Sequence, residues 1–546
     1  MATAVFALFT AAALFIGGED MKTIKKGWGT PRASGYSEAG ASLQKRALRG
    51  FRANSGSPAM DINWNNMTLR QRARMLYMAA PIATAAINTN RTKVIGVGLT
   101  LKSTVNTDVL GISPDTAKAW QKKTEAEWNL WAGKKQNCDA LGLSSFAELQ
   151  QLALVSWLLS GDTFPLIKRY EPTKLNPYSL RIHLIEADRV STPMFARSTG
   201  YMVGATEGKA ENGNLIHDGV EVDENGRVVA YYICNSYPFE FLDKTVEWTR
   251  VEAYGKETGL PNILHVMDAE RPDQYRGVPY LAKVIEPMLQ TRRYTESELM
   301  AALIQSFFSA WIETEVNPNL IPMNEVGPGD VGAVPGEDPE TNMSASGNEY
   351  EMGPGTVNVL KVGEAVKFGQ PNIPTAGFDV FMKAMCMQMG AALDIPYEVL
   401  MKEFNASYSA SRAALLEAWE VFKMRRSWFV TDFCQPIYEI WLSEAIARGR
   451  IQAPGFFDDP LIREAWCGSR WIGPVQGQID PRKEVDAALL QISHGLKTHE
   501  QVTRELGGGD WNENITQLEH ENELLKAAGI IPAAVGTQGG NDNADA

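Results

Sequence analysis

The stretch RGVPYLAKVIEPMLQTRRYTESELMAALIQSFFSAWIE, residues 276–313, decides the architecture. Its apolar residues recur at Leu281, Val284, Ile285, Met288, Leu289, Leu299, Leu303, Phe307 and Trp311, a spacing that puts them along one side of a helix. Pro279 stands near the start. Pro287 is expected to kink the rod, because it removes a backbone donor and its ring clashes with the preceding turn. About 32 helical residues make a rod of about 48 Å, longer than most globular domains use.

Periodicity stops after this rod. Residues 313–370 hold ten carboxylates against two lysines, with Pro-Gly pairs at 328–329, 335–336 and 354–355. As a free linker such a segment would be disordered, but GTVNVLKVGEAVKF (355–368) reads as a strand that returns the chain to a hairpin-like unit. Helix resumes at 377–395 and ends at Pro396. A polar break, Lys402-Glu403-Phe404-Asn405-Ala406-Ser407-Tyr408, then precedes another helical run over roughly 408–448. Two rods thus bracket an acidic insertion, and a short loop follows the second.

Upstream, helical periodicity covers 67–95, with Leu69, Ala73, Leu76, Ala80 and Ile87 on one side; further helices are read at 114–132, which carries Trp120, Trp128 and Trp131, and at 145–160. From 162 to 268 the period shifts toward two. TFPLIKRY, LRIHLIEADRVS, GVEVDENGRVVAYYIC and NILHVM read as strands of a mixed, mostly antiparallel region. Asn225-Gly226 is expected to form a hairpin turn in which both central residues take positive φ. Near the C-terminus, Asp480-Pro481 combines a cap with proline at the first helical position, and Thr498–Gln501 and Asp510–Glu513 have the capping-box spacing. Residues 480–528 therefore read as a small helical domain. The tail GTQGGNDNADA reads as disordered.

Bulk properties exclude several classes. The 546 residues are 44% hydrophobic and 21% charged, ordinary for a soluble multidomain protein. A formal charge of −13 argues against a simple nucleic-acid gripper, whose phosphate contacts need a cationic excess. Cys138, Cys234, Cys386, Cys434 and Cys467 form no C-x-x-C and read as buried free thiols. Residues 21–60 are basic and read as an arm that packs on something else. The apolar stretch 1–16 lacks the basic n-region of a signal peptide and is short for a membrane span; it reads as a dispensable extension, an ordered helix or targeting being the alternatives. No G-x-x-x-x-G-K-[ST], H-E-x-x-H or G-x-S-x-G occurs, so no nucleotide site, metal site or nucleophile elbow is expected. His265 with Asp268 could form an acid–base pair, but a structural histidine is the preferred reading. The carboxylates of ESE (296–298) and FDDP (457–460) read as exposed charge. Neither catalysis nor a cofactor is anticipated.

The ordered set of motifs resembles the lambda-type portal proteins of tailed bacteriophages over roughly 35–525. MTLRQRARMLYMAAPIATAAINTNRTKVIGVGLTLKS is similar to that family's N-terminal helix and turn, with Ala80-Pro81 where Asn-Pro is usual. LIEADRVSTP, GVEVDENGRVVAYYI and HVMDAERPDQYRGVPYLAKVI resemble its β region and the entry to its stem. DIPYEVLMKEFNASYSASRAALLEAWEVFKMRR carries the strongest likeness, and GPVQGQIDPRKEVDAALLQISHGLKTHEQVTRELGGGDWNENITQLEHE is similar to the C-terminal region.

The resemblance implies an α+β portal-type subunit: a β-rich wing, a two-helix stem, a small α/β clip and a helical crown, assembling as a ring, generally of twelve copies. On that plan 1–60 are extension and arm, 61–279 wing, 280–312 the first stem helix, 313–371 clip and 372–398 the second stem helix. Residues 399–409 are a tunnel loop, 410–465 wing helices, 466–530 crown and 531–546 a tail. The tunnel loop would present Lys402, Glu403, Phe404, Asn405, Ala406, Ser407, Tyr408 and Ser409 to double-stranded DNA. Weak, sequence-blind contacts would let DNA slide, since each tight phosphate contact is a barrier. An ordinary solvent-facing connection is the bland alternative for the same loop. The clip, with Asn324, Glu325, Asp330, Glu337, Asp338 and Glu340, would dock the large terminase subunit and the head–tail connector. The major capsid protein would surround the ring. The resemblance implies a place in the virion, at the capsid portal vertex, with host cytoplasm during assembly and no membrane. An acidic channel wall would repel DNA. The rival reading is a structural oligomeric scaffold with no part in DNA translocation.

Overall fold

A π-helical turn at Ala59–Asn63 leads into α1 (Trp64–Ala79) and α2 (Pro81–Asn90). Ala80 is extended between them because a residue before proline is pushed out of the helical region. This computed structural model describes residues 45–48, 50–51, 56–194, 206–238, 240, 245–306, 310–314, 364–368, 377–404, 408–477, 480–507 and 509–530. The chain divides into Met1–Gly56 and Ser57–Ala546, and every element named below lies in the second unit. The apolar stretch 1–16 and the tail beyond Ile530 fall outside the described residues.

The side of α1 and α2 expected to be apolar is the one that packs. Ala73, Leu76, Ala80 and Ile87 are buried. Strand β1 (Thr100–Ser103) follows, then α3 (Pro114–Ala132), whose cap Ser113 accepts the Thr116 N–H. The next helix, α4 (Phe146–Ser160), starts on a capping box between Ser145 and Glu148. Trp128 of α3 forms the centre of the helical core, meeting Phe146 edge-on at 5.1 Å and Trp441 at 5.2 Å. The five cysteines are free and buried, as expected.

Strands β2 (Asp162–Arg169) and β3 (Leu180–Glu186) form one antiparallel sheet with a two-residue partner, β9 (Val266–Met267). A second antiparallel sheet runs in order β4 (Glu207–Lys209), β5 (Leu215–His217), β6 (Val220–Val222), β7 (Val228–Cys234) and β8 (Trp248–Glu252). The β6–β7 turn differs from expectation. Gly226 has φ 81° while Asn225 is not left-handed, and Gly226 N–H donates to the Asp223 carbonyl at 3.0 Å. The Asp223 carboxylate also accepts from the Asn225 and Arg227 amides, each at 2.9 Å. The side chain of Asp223 thus organises a longer loop in which only the glycine needs positive φ.

The first rod is shorter than its pattern. A 3-10 turn at Tyr280–Val284 precedes α5 (Ile285–Ser306), so Pro287 lies in the first α-helical turn. Pro287 thus stands just past the junction of the 3-10 and α-helical segments, in the first α-helical turn, where proline is better tolerated than in a helix interior. Residues expected to extend the helix to 312 instead form β10 (Ala310–Thr314), paired antiparallel with β11 (Glu364–Phe368). Trp311 and Ile312 suit a strand, and β11 supplies the partner that a single-sequence pattern does not show. The second rod is α6 (Phe378–Ala392). It lies antiparallel to α5: the Tyr294 ring sits 5.5 Å from Phe378 and 4.9 Å from Phe381, while the Tyr280 hydroxyl donates to the Leu393 carbonyl.

After Pro396 a short helix, α7 (Tyr397–Met401), precedes α8 (Tyr408–Phe429). A π turn at Val430–Cys434 joins α8 to α9 (Gln435–Ala447). Then come α10 (Pro460–Cys467) and β12 (Ser469–Ile472), which pairs with β1. The C-terminal helices are α11 (Pro481–Ser493), α12 (His499–Gly507) and α13 (Trp511–Ala527). Thr498 and Gln501 form the expected reciprocal box. At Asp510 only half forms: its carboxylate caps Asn512 and Glu513, but the Glu513 side chain turns to Lys102.

Candidate functional site at the 402–409 loop

The break after α7 is built by its last residues. Lys402 takes φ 58°, the left-handed conformation usually given to glycine, and Glu403 N–H reaches back to the Glu398 carbonyl at 3.1 Å. Holding a residue with a Cβ there costs about 1 kcal/mol. The Glu403 carboxylate accepts from the Tyr397 hydroxyl at 2.6 Å, and this bond pushes the phenol up to about 12. The Lys383 ammonium lies 5.1 Å from the centre of the same ring. Glu403 is therefore tied back toward α7, whereas Lys402 and Phe404 are exposed, Phe404 by 49%. Asn405, Ala406 and Ser407 lie outside the described residues; Tyr408 and Ser409 open α8, with side chains outside the description.

At the end of the second rod, one buried arginine joins four elements. Arg425 of α8 donates to the Asn90 carboxamide oxygen of α2 at 2.6 Å and stacks over the Tyr280 ring at 4.5 Å. Its guanidinium is 3.5 Å from the Leu393 carbonyl and 3.7 Å from the Asp394 carboxylate. The foot of the first rod, the end of the second, α2 and α8 are thereby locked at the level from which α7 and the loop depart. Burial raises the Tyr280 phenol further above its ordinary range, keeping it a neutral donor. Gly390 permits the tight bend after α6, since a Cβ there would stand 2.6 Å from the Ile395 carbonyl oxygen. Sequence reading passed over Arg425. Its only signal was a cation within the apolar run WEVFKMRRSWFV.

His265 does not pair with Asp268. Its ring nitrogen lies 3.5 Å from Asp162, inside a buried ion cage. Arg276, fully buried, grips both Asp162 oxygens at 2.6 and 3.2 Å and donates to the Val190 and Ala187 carbonyls, each at 2.9 Å. Arg70 of α1 adds contacts to Asp162 at 3.5 Å and Asp218 at 3.6 Å. Burial would raise the Asp162 carboxyl, but Arg276 and then Arg70 overcome it and hold it well below the carboxylate range. Burial lowers His265, against the pull of Asp162, leaving a neutral imidazole. The cage ties α1 to both sheets and is structural in character. Among the described residues no group of three or more His, Cys, Asp or Glu is placed to hold a metal.

The clip candidates Asn324, Glu325, Asp330, Glu337, Asp338 and Glu340 all lie outside the described residues. The insertion that carries them opens on β10 and closes on β11, a paired base. The rods themselves are of mixed charge. Glu286, Glu296 and Asp379 are exposed alongside Lys283, Arg292, Arg293 and Lys383, and Arg292 pairs with Glu296 at 2.9 Å. The acidity concentrates between the rods, in 313–370.

The family model for phage portal proteins of the lambda family matches residues 44–426. The chain belongs to that family. Portal protein B of Escherichia phage lambda is 25% identical over 465 residues, covering 83% of each chain. The portal protein of Escherichia phage N15 is 24% identical over 507 residues, covering 89% of this chain and 90% of its own. Among solved structures, the neck of a native gene transfer agent particle, computed with C12 symmetry, aligns with a TM-score of 0.38 and 14% identity over 82% of this chain and 94% of that one. The family match of this α+β portal-family subunit ends within α8, at Arg426, next to Arg425.

Proposed function

We propose that copies of this chain form a closed ring whose axial hole carries double-stranded DNA into a capsid and later out of it. The family match over 44–426 carries this reading. The paired rods α5 and α6 and the loop at their foot support it, because they are two extended elements of the kind that can line a bore. Twelve copies is the number the resemblance implies. In this reading α5 and α6 are the stem, 313–371 the clip, 466–530 the crown and 402–409 the tunnel loop. Exposed Lys402 and Phe404 suit weak contact with any sequence, and tying back Glu403 withholds one carboxylate from the duplex. The work of packaging falls to a separate ATPase, the large terminase subunit, docked on the acidic clip through a basic face. The clip later receives the head–tail connector, and the major capsid protein holds the ring at its vertex. Negative-stain images of the purified protein test this: rings with a duplex-wide hole are expected, and a compact monomer or a ring with no axial opening refutes it. The second outcome is what a scaffold without a translocation role would give.

A further inference from the structure

A cleft of about 510 Å³ opens between α8, the segment after β12, α11 and α12. Arg412, Trp419, Lys423 and Arg426 line it at helical spacing, so that one face of α8 forms its wall. Two of its cations are neutralised, Arg412 by Glu484 at 3.1 Å and Lys497 by Glu505. Lys423 meets Glu420, a carboxylate 74% exposed, in a pair that water weakens. Arg426 and Arg504 also line the cleft, and neither has an ion pair among the described residues. Arg426 is held rigidly. Its Nε and one Nη donate to the Val94 and Lys93 carbonyls at 2.8 and 2.7 Å, and its guanidinium lies 5.6 Å from the centre of the Trp419 ring. Gly473 passes so close that a Cβ there would stand 3.0 Å from the guanidinium. The second Nη has no partner among the described residues and has the cleft beside it. Burial lowers this arginine to about 10 with no carboxylate opposing the shift, so a charge is kept partly out of water with nothing to balance it.

The chain next to the cleft does not supply the missing anion. Asn405, Ala406, Ser407, Gln478, Ile479 and Gly508, outside the described residues but adjoining its walls in sequence, carry no charge. Of all the undescribed stretches, only 315–363 and 531–546 hold more carboxylates than cations. The first leaves from the far ends of the rods, about 33 Å along α5 from the foot that Arg425, the neighbour of Arg426, touches. The second offers the side chains of Asp542 and Asp545 alone. A phosphate brings up to two charges and several acceptor oxygens into the space of one small group, and guanidinium forks match those oxygens. We propose that this cleft binds a phosphate group, held by Arg426 and Arg504 with Lys423 beside them. Inorganic phosphate and the phosphodiester of a nucleic-acid strand share that chemistry, and the experiment separates them. The site lies within one subunit and stands independently of ring closure.

Isothermal titration calorimetry of the full chain at low salt tests this. The separate titrants are inorganic phosphate, a short single-stranded thymidine oligonucleotide and a peptide of residues 536–546. Saturable binding of phosphate or oligonucleotide is expected at one site per subunit. Arg426→Met and Arg504→Gln should each weaken it at least about tenfold, since each removes a charge-assisted bond. Arg72→Gln, at an exposed position of α1 outside the cleft, should bind as wild type does. Oligonucleotide binding tighter than phosphate, and lost in the same variants, makes a nucleic-acid strand the source. Phosphate binding alone makes a small anion the source, and either result upholds the site. Should Arg426→Met fail to fold, Arg504→Gln decides, because that half-buried side chain has no ion pair to lose among the described residues. Absence of saturable binding, or binding that both variants retain at wild-type strength, overturns the proposal. Binding of the peptide with phosphate inert also overturns it and makes the chain's own tail the occupant.

Discussion

Replacing Arg425 by methionine keeps the length of the side chain and removes its charge, and the consequence can be worked from the contacts. The hydrogen bond to Asn90 is charge-assisted, 2.6 Å long and buried; such a bond contributes about 2 kcal/mol. Stacking of the guanidinium on Tyr280 at 4.5 Å contributes about 1 kcal/mol more in a desolvated site. The contact with Asp394 adds little, because that carboxylate is 64% exposed. Local opening at the base of the loop should therefore become easier by about 3 kcal/mol, or about 150-fold in equilibrium constant. Hydrogen exchange is the appropriate assay. The amides of Leu393, Ile395 and Glu403 are bonded to the carbonyls of Met389, Gly390 and Glu398, so a peptide spanning 390–404 reports directly. Exchange there should accelerate about a hundredfold in Arg425→Met, with Arg425→Lys intermediate and peptides from α3 unchanged. Acceleration of less than about threefold, or an equal acceleration everywhere, would refute the claim that Arg425 locks the end of the second rod in particular.

Further outcomes are expected. Lys402→Gly should stabilise the α7 terminus by about 1 kcal/mol, read as slower exchange of the Glu403 amide, because the left-handed conformation no longer meets a Cβ. Gly277→Ala should destabilise the protein by more than about 3 kcal/mol, since its Cβ would fall 1.8 Å from the Gly161 carbonyl oxygen, and soluble yield and melting temperature measure it. Burial, and next Asp268, push the Asp432 carboxyl up to about 6. The folded state then holds a proton that the unfolded state has released above about pH 4, so stability falls as pH rises through about 6. Asp432→Asn should accordingly raise the melting temperature at about pH 7.5 and lose that advantage near about pH 4. Deleting 402–409 should impair DNA packaging or retention while rings still assemble; packaging at the wild-type level would exclude the loop from that role.

The fold was legible wherever a single element carries its own signal. The caps at Asp480 and Thr498 and the spacing on α1, α3 and α4 suffice, because helix periodicity and capping are local. The misses share a cause. Residues 310–312 continue a helical pattern but lie in β10, since a strand more than fifty residues away pairs with them. Asp223 reshapes the Asn225-Gly226 turn through its side chain, and the turn dipeptide alone does not encode that choice. His265 turns to Asp162 rather than its near neighbour Asp268 because folding brings β2 beside it.

For function, the linear order of rod, acidic insertion, rod and polar break is a property of the sequence by itself, and so is membership of the family, because both are written in residue order and local period. Which residues lock the end of the second rod, from which α7 and the loop depart, was decided by tertiary structure. Arg425, Tyr280, Leu393 and Asn90 are far apart along the chain, and nothing local distinguishes an arginine that will be buried among them from one left in water. Burial and partnership are relations between distant segments. They exist only once the chain has closed on itself.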